Sequence, residues 1–228
     1  MALRLLDAFC GAGGATRGYQ QAGFHVTGVD HLPQPHYVGD AFIQADALAY
    51  LAAHGGEYDA IHASPPCQGY SAFRYLPWMR HRSYPLLIPA TLAVLRRVAR
   101  VWVVENVVTA PLEGLTLCGQ MFELPLYRHR RFASTILIFP PPHPPHTTVI
   151  LPGQRNLAQR YRQGGGRDST GCFPGVRPAE AMDIDWMSLR ELSQAIPPAY
   201  TAWIGQALAT NLRYRAQKGG ARCAHETP

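Results

Sequence analysis

The sequence predicts one parallel α/β sheet with helices on its faces. Short apolar runs alternate with helical stretches from Leu3 to about Phe139, the element order that builds such a sheet. Several of those runs stop on a carboxylate, a glycine turn or a cysteine, and the carboxyl ends of parallel strands are where such sheets bind ligands. The 228 residues are enough to bury a core of that size.

Taken in order, Arg4–Asp7 reads as the first strand. His25–Asp30, Ala41–Gln44, Ala60–Ala63 and Val101–Glu105 follow as strands, and a further pair spans Arg131–Phe139. Pro85–Arg100 reads as a helix, with Pro85 placed to start it. Residues 140–178 then hold eight of the 20 prolines and six glycines, so no regular element longer than a few residues is expected there. Arg155, Arg160, Arg162, Arg167 and Arg177 lie in that stretch against Asp168 alone. Ser188-Leu-Arg-Glu191 is a capping-box pattern at which order should return. Pro197-Pro198 interrupts it, and Tyr200–Leu212 reads as a final helix with Trp203, Leu208 and Leu212 inward. Arg213–Pro228 reads as a frayed basic tail. The organisation is therefore a core over 1–139, an irregular insertion over 140–186, returning helices over 187–212 and a tail over 213–228.

Composition narrows the class. With 47% hydrophobic and 16% charged residues the chain is globular rather than disordered. No apolar run approaches the roughly 18–20 residues of a membrane helix, and the N-terminus lacks a signal-peptide pattern. The net charge of +6 is compatible with a nucleic acid partner. Cysteines at 10, 67, 118, 172 and 223 form no CxxC pair and are odd in number, which argues against a disulfide framework or zinc ribbon and for a reducing cytoplasm. His143 and His146 look like a metal pair, but nothing nearby in sequence completes a site. They read as loop residues, and Cys10, Cys118, Cys172 and Cys223 as structural or exposed.

Five features carry chemistry. Asp7-Ala-Phe-Cys-Gly-Ala-Gly-Gly14 follows a strand and precedes a helix, so Gly11, Gly13 and Gly14 allow a ligand close to the backbone. Thr16 stands where a dinucleotide fingerprint has its third glycine, so a pyrophosphate cradle fits less well; a plain tight turn is the other reading. Asp30, ending a strand, can accept both hydroxyls of a ribose, which points to a nucleoside without saying which cofactor. Asp46 stands where it could meet an adenine amino group, or be a solvated loop carboxylate. Ser64-Pro-Pro-Cys-Gln-Gly-Tyr-Ser71 puts Cys67 at the carboxyl end of a buried strand, approached by two stiff prolines. Val101–Glu105-Asn-Val ends a buried strand on a carboxylate, costly unless paired or functional. Tyr127-Arg-His-Arg-Arg131 is a basic cluster before a strand, by itself a solvated face.

Together these motifs resemble the DNA (cytosine-5) methyltransferases, in the order and spacing of DxFxGxGG, PPCQ, ENV and a late RxR over residues 3–139. Leu192-Ser-Gln-Ala-Ile-Pro-Pro198 resembles the family's returning GN(S/A)VPP motif, with Ser193 for Gly and Gln194 for Asn. The resemblance implies a Rossmann-like S-adenosylmethionine-dependent methyltransferase sheet acting on a flipped cytosine of DNA, with restriction–modification as the family setting. It implies Cys67 as the nucleophile on cytosine C6, Glu105 as the N3 proton donor, Arg130 on the cytosine O2, and Arg128 beside it stabilising charge or the catalytic loop. For S-adenosyl-L-methionine it implies Phe9 on the adenine, Asp30 on the ribose and Pro66 near the sulfonium, with Asp7, Gly11, Gly13, Gly14 and Asp46 framing the site. Gln68–Pro85, with Tyr70, Phe73, Arg74, Tyr75, Trp78 and Arg80, would close over the extruded base.

The chain departs from the family further in its length. Only Pro140–Trp186 is left for target recognition, so short or relaxed recognition, ordering on DNA, or a specificity partner is expected. An RNA or free-nucleotide methylase would share the chemistry. A non-catalytic DNA-binding relative would not have kept Cys67, Glu105 and Arg130 together, and a nicotinamide oxidoreductase would leave PPCQ unexplained.

Overall fold

The computed structural model describes residues 2–71, 81–148 and 172–223, with side chains as far as residue 218. Seven strands form one sheet: β1 (Leu3–Ala8), β2 (Phe24–Asp30), β3 (Ala41–Gln44), β4 (Ala60–Ala63), β5 (Trp102–Val107), β6 (Leu115–Leu117) and β7 (Arg130–Ser134), in the order β3-β2-β1-β4-β5-β7-β6. The first five are parallel, and β7 runs antiparallel to both β5 and β6. The chain winds outward from β1 to β3, then returns to lay β4 on the other side of β1. That reversal opens a crevice at the carboxyl ends of β1 and β4.

Two apolar layers sandwich the sheet. Leu5, Val26, Ala60 and Val103 face one layer with Tyr19, Tyr200 and Ile204, while Leu6, Val29, Ile61 and Val104 face the other with Leu51 and Leu95. On the first side lie α1 (Gly14–Gln21) and the long final helix; on the second lie α2 (Ala47–His54) and α3 (Ile88–Val98). The core strands stand where the sequence predicts them. The pair expected within Arg131–Phe139 is instead β6 with β7, and Ile136–Phe139 leaves the sheet. The three residues of β6, two half-buried and one buried, are too few to display a period. The third helix starts three residues after Pro85, with Pro89 in its first turn.

After the Pro-rich segment, order returns before Ser188. Cys172 bridges Leu126, and α4 (Pro178–Met182) with α5 (Leu189–Gln194) closes a small third core of Leu126, Cys172, Met182, Ile184 and Leu192. Ser188 does cap α5, its side chain accepting from the Glu191 amide while Glu191 reaches back to the Ser188 amide. The final helix, α6 (Pro198–Cys223), continues well past Leu212, so most of the stretch expected to fray is helical. Its buried stripe is Tyr200, Ile204 and Leu208, with Leu212 half-buried. Trp203 falls off that stripe: it is 43% exposed, and its indole donates to the Phe139 carbonyl at 2.9 Å. No described helix is long and apolar enough to cross a membrane.

Candidate active site

Strand register aligns the polar residues of the crevice. Asp7 pairs with His62, and His62 with Val103. Side chains repeat every second residue on one face of a strand. Asp7, His62, Ser64 and Glu105 therefore share the face that α1 and α6 cover.

The turn after β1 is wound tightly. Phe9 takes a φ of 61°, in the left-handed region that a bulky residue enters only when its surroundings force it. Gly11 and Gly13 follow at 50° and 88°. Gly14 must lack a side chain because a Cβ there would come 2.7 Å from the Ile196 carbonyl oxygen. The glycine turn thus packs directly on the returning segment, and Trp186 donates to the Ala12 carbonyl at 3.0 Å.

The carboxylates around this turn differ in role. Asp30 accepts from the Gly11 amide at 3.1 Å and from the Leu32 amide at 3.0 Å, so it holds the turn in place. Asp46 caps α2, accepting from the Ala49 amide at 2.8 Å. Asp7 is fully buried and accepts from the Thr16 hydroxyl at 2.6 Å through Oδ2. Its Oδ1 has no partner among the described residues. Burial above all, with Asp30 and Glu105 nearby, pushes its carboxyl up to about 7. Thr16, where a third glycine would stand, is the hydroxyl that satisfies half of Asp7.

Cys67 lies on the loop leaving β4, half-buried, directly after the half-buried Pro66. Its carbonyl accepts from the Tyr70 and Ser71 amides, each at 3.0 Å, which turns the chain back beyond it. Asn106, fully buried on β5, pins the approach by donating to the Pro65 carbonyl at 2.8 Å. The Asn of ENV therefore fixes the loop that carries the thiol. Burial, then the Glu105 charge, raises the thiol, while Arg130 and Arg128 pull it down.

Glu105 is the centre of the site. Its Oε1 lies 3.2 Å from Arg130 Nε, both groups largely shielded from water. The antiparallel register pairs Glu105 with Phe132, so Arg130, two residues away, is the diagonal neighbour on the same face. Burial raises the Glu105 carboxyl; Arg130, a hydrogen bond from Ser64 and Arg128 oppose it. Ser64 Oγ lies 2.9 Å from His62 Nε2, and His62 Nδ1 lies 2.9 Å from the Tyr19 hydroxyl. Burial holds His62 neutral, pushed down to about 3. A neutral imidazole has one donor and one acceptor nitrogen. While Glu105 is ionised, Ser64 donates to it, His62 to Ser64 and Tyr19 to His62.

Arg128 turns elsewhere. Its guanidinium donates to the carbonyls of Leu192 at 3.2 Å and Ser193 at 2.7 Å, and its own carbonyl accepts from Tyr200 at 2.9 Å. It clamps the returning segment to the strand carrying Arg130. These contacts use backbone carbonyls, so Ser193 and Gln194 in place of Gly and Asn leave them intact.

Sequence reasoning passed over Tyr19, His62, Ser64 and Asn106. The period-two spacing of His62 and Ser64 on a buried strand was the available signal. Phe73, Arg74, Tyr75, Trp78, Arg80, Arg155, Arg160, Arg162 and Arg167 lie outside the described residues.

Comparison with known proteins agrees with the fold. A solved structure described as a DNA modification methyltransferase encoded within a prophage, from Escherichia coli, superposes with a TM-score of 0.59 at 15% identity, covering 93% of this chain and all of that one. The fold is Rossmann-like. A curated relative, the Type II methyltransferase M.AgeI of Thalassovita gelatinovora, is 29% identical over 86 residues. That likeness covers 31% of this chain and only 20% of the relative's length. No protein-family model matches the chain.

Proposed function

We propose that this protein methylates C5 of cytosine in DNA with S-adenosyl-L-methionine, through a covalent bond from Cys67 to C6 of a flipped base. The observation that carries the reading is the shielded Glu105–Arg130 pair, which electrostatically couples to a cysteine at the crevice where the strand order reverses. The two comparisons add a methyltransferase fold and a stretch of likeness to a Type II methyltransferase.

The cofactor site fits the chemistry of its ligand. An orphaned buried carboxylate oxygen on Asp7 and the open side of Gly11, where a Cβ would meet nothing within 4 Å, suit a cationic nucleoside. Asp7, Phe9, Gly11, Gly13, Gly14, Asp30, Asp46 and Pro66 would hold it. When bound, S-adenosyl-L-methionine supplies a methyl group on a sulfonium.

The chain's own residues do the rest. Cytosine C5 is a weak nucleophile while the ring is aromatic. The Cys67 thiolate adds to C6, and N3 takes a proton from Glu105, leaving electrons at C5. The raised Glu105 carboxyl suits that donor role, and Arg130 would hold O2. After C5 gains its methyl group, its proton leaves to water, the C6–S bond breaks to return the thiolate, and N3 gives its proton back to Glu105. Arg128 fixes the backbone of the returning segment rather than the base.

The test is transfer of tritium from labelled cofactor to duplex DNA, single-stranded DNA, tRNA and dCMP in parallel. Label as 5-methylcytosine in DNA, abolished in Cys67→Ser, is the expected result. Label confined to RNA or dCMP would overturn the substrate, and full turnover by Cys67→Ser would overturn the nucleophile.

A further inference from the structure

The back of the RxR strand carries a second cluster. Strand register pairs Leu117 of β6 with Arg130 of β7. One residue further, the same antiparallel register sets Cys118 against His129. Side chains alternate along an extended chain, so His129 points away from its neighbours Arg128 and Arg130. The Pro-rich segment after β7 brings His143 and His146 to the same place. The donor atoms of Cys118, His129, His143 and His146 all lie within 4.8 Å of one another.

The geometry points to a tetrahedral zinc site formed by Cys118, His129, His143 and His146. Zinc bonds of about 2.3 Å to sulfur and about 2.0–2.1 Å to nitrogen put tetrahedral donors about 3.3–3.7 Å apart. Cys118 Sγ and His146 Nε2 already stand 3.3 Å apart. The remaining distances need closing by at most about 1.5 Å. That motion is available to His143 and His146, which are exposed, while Cys118 is fully buried and His129 half-buried. The same exposure gives the ion a route in.

One of the histidines already has the outer contact a metal ligand uses. His143 Nδ1 donates to the Pro144 carbonyl at 2.8 Å, which leaves Nε2 with a lone pair to give. Tyr127 stacks on His146 at 3.7 Å, and its hydroxyl donates to the Thr148 carbonyl and accepts from the Thr148 amide. No carboxylate joins the cluster among the described residues, so it is no ion-pair network. Four protein donors leave no open position, which makes the site structural rather than catalytic. Bound zinc would tie the Pro-rich segment to the residue between Arg128 and Arg130.

The experiment uses the full chain. Metal content of the purified protein is measured first, then the chelator-stripped protein is titrated with Co²⁺ and with Zn²⁺. The expected result is one zinc per chain, tetrahedral ligand-field bands with a thiolate-to-cobalt charge-transfer band on Co²⁺ loading, and a lower Tm after chelation. Cys118→Ser should lose the charge-transfer band. His143→Ala with His146→Ala, both on exposed positions, should weaken Co²⁺ binding by more than the roughly 10–100-fold that losing an outer partner costs. A folded protein that takes up no Co²⁺, an octahedral spectrum, or binding unchanged in the double histidine variant would each overturn the site. None of these readouts depends on methyl transfer.

Discussion

Two buried carboxylates, Asp7 on β1 and Glu105 on β5, sit on one face of the sheet and meet different fates. Both are pushed above the ordinary carboxylate range by burial, and the Glu105 charge adds to the rise at Asp7. Asp7 has one hydroxyl from Thr16 and an orphaned oxygen. Glu105 has a guanidinium, a serine hydroxyl and a second arginine nearby to oppose its burial. The difference teaches where a proton can be controlled. At Glu105 three polar partners oppose its burial, whereas at Asp7 burial dominates and Thr16 alone opposes it.

The sharpest way to break that contrast is Glu105→Gln. If the proton on Glu105 drives attack, methyl transfer to DNA should fall by about 10²–10⁴-fold, the usual worth of a general acid. A rate within tenfold of the parent would remove Glu105 from the chemistry. Next in size is Arg128→Ala, which tests whether the Glu105 side is held by the returning segment. Losing two charge-assisted bonds to buried carbonyls should cost about 3 kcal/mol, or about 6–12 °C in Tm by calorimetry. An unchanged Tm would mean the clamp does no structural work.

Asp7→Asn addresses the other carboxylate. Its folded pKa, raised to about 7 from 3.8, means the native state binds the proton more tightly than the unfolded chain. Its contribution to stability is therefore fully present below about 4 and is lost as pH rises to about 7. The asparagine variant should flatten this part of the Tm–pH profile, by about 2 kcal/mol between pH 5 and 8. A slope identical to the parent's would show that Asp7 is not the group responsible. The smallest effect is expected from Ser64→Ala. Its hydrogen bond favours the Glu105 carboxylate, so removing it should push that carboxyl further up. Because the protonated acid is the donor, the basic limb of the rate profile should move to higher pH. Movement to lower pH would reverse the assigned hydrogen-bond direction.

Much of the crevice was legible because its signals are local. The glycine turn, the Pro-Pro-Cys loop and the acid late in β5 are each contiguous, and a strand is recognisable from its apolar run. The parallel core follows from the alternation of those runs with helices. Trp203 was misjudged because α6 buries Tyr200, Ile204 and Leu208, and a stripe that narrow leaves its flank in water. The end of α6 was misjudged because a basic stretch signals exposure, which a helix tolerates as readily as a tail.

What the sequence by itself determined is the order of elements and the residue types at the carboxyl ends of the strands, since backbone preference and periodicity act over a few residues. Only the tertiary structure decided which of those residues meet. The register of β5 against β7 set Arg130 diagonal to Glu105, and the fold of the returning segment drew Arg128 away to the Leu192 and Ser193 carbonyls. The register of β6 against β7 turned an isolated His143–His146 pair into a four-donor cluster with Cys118 and His129. Those contacts join positions far apart in the chain, and nothing in local composition encodes the pairing of one strand with another.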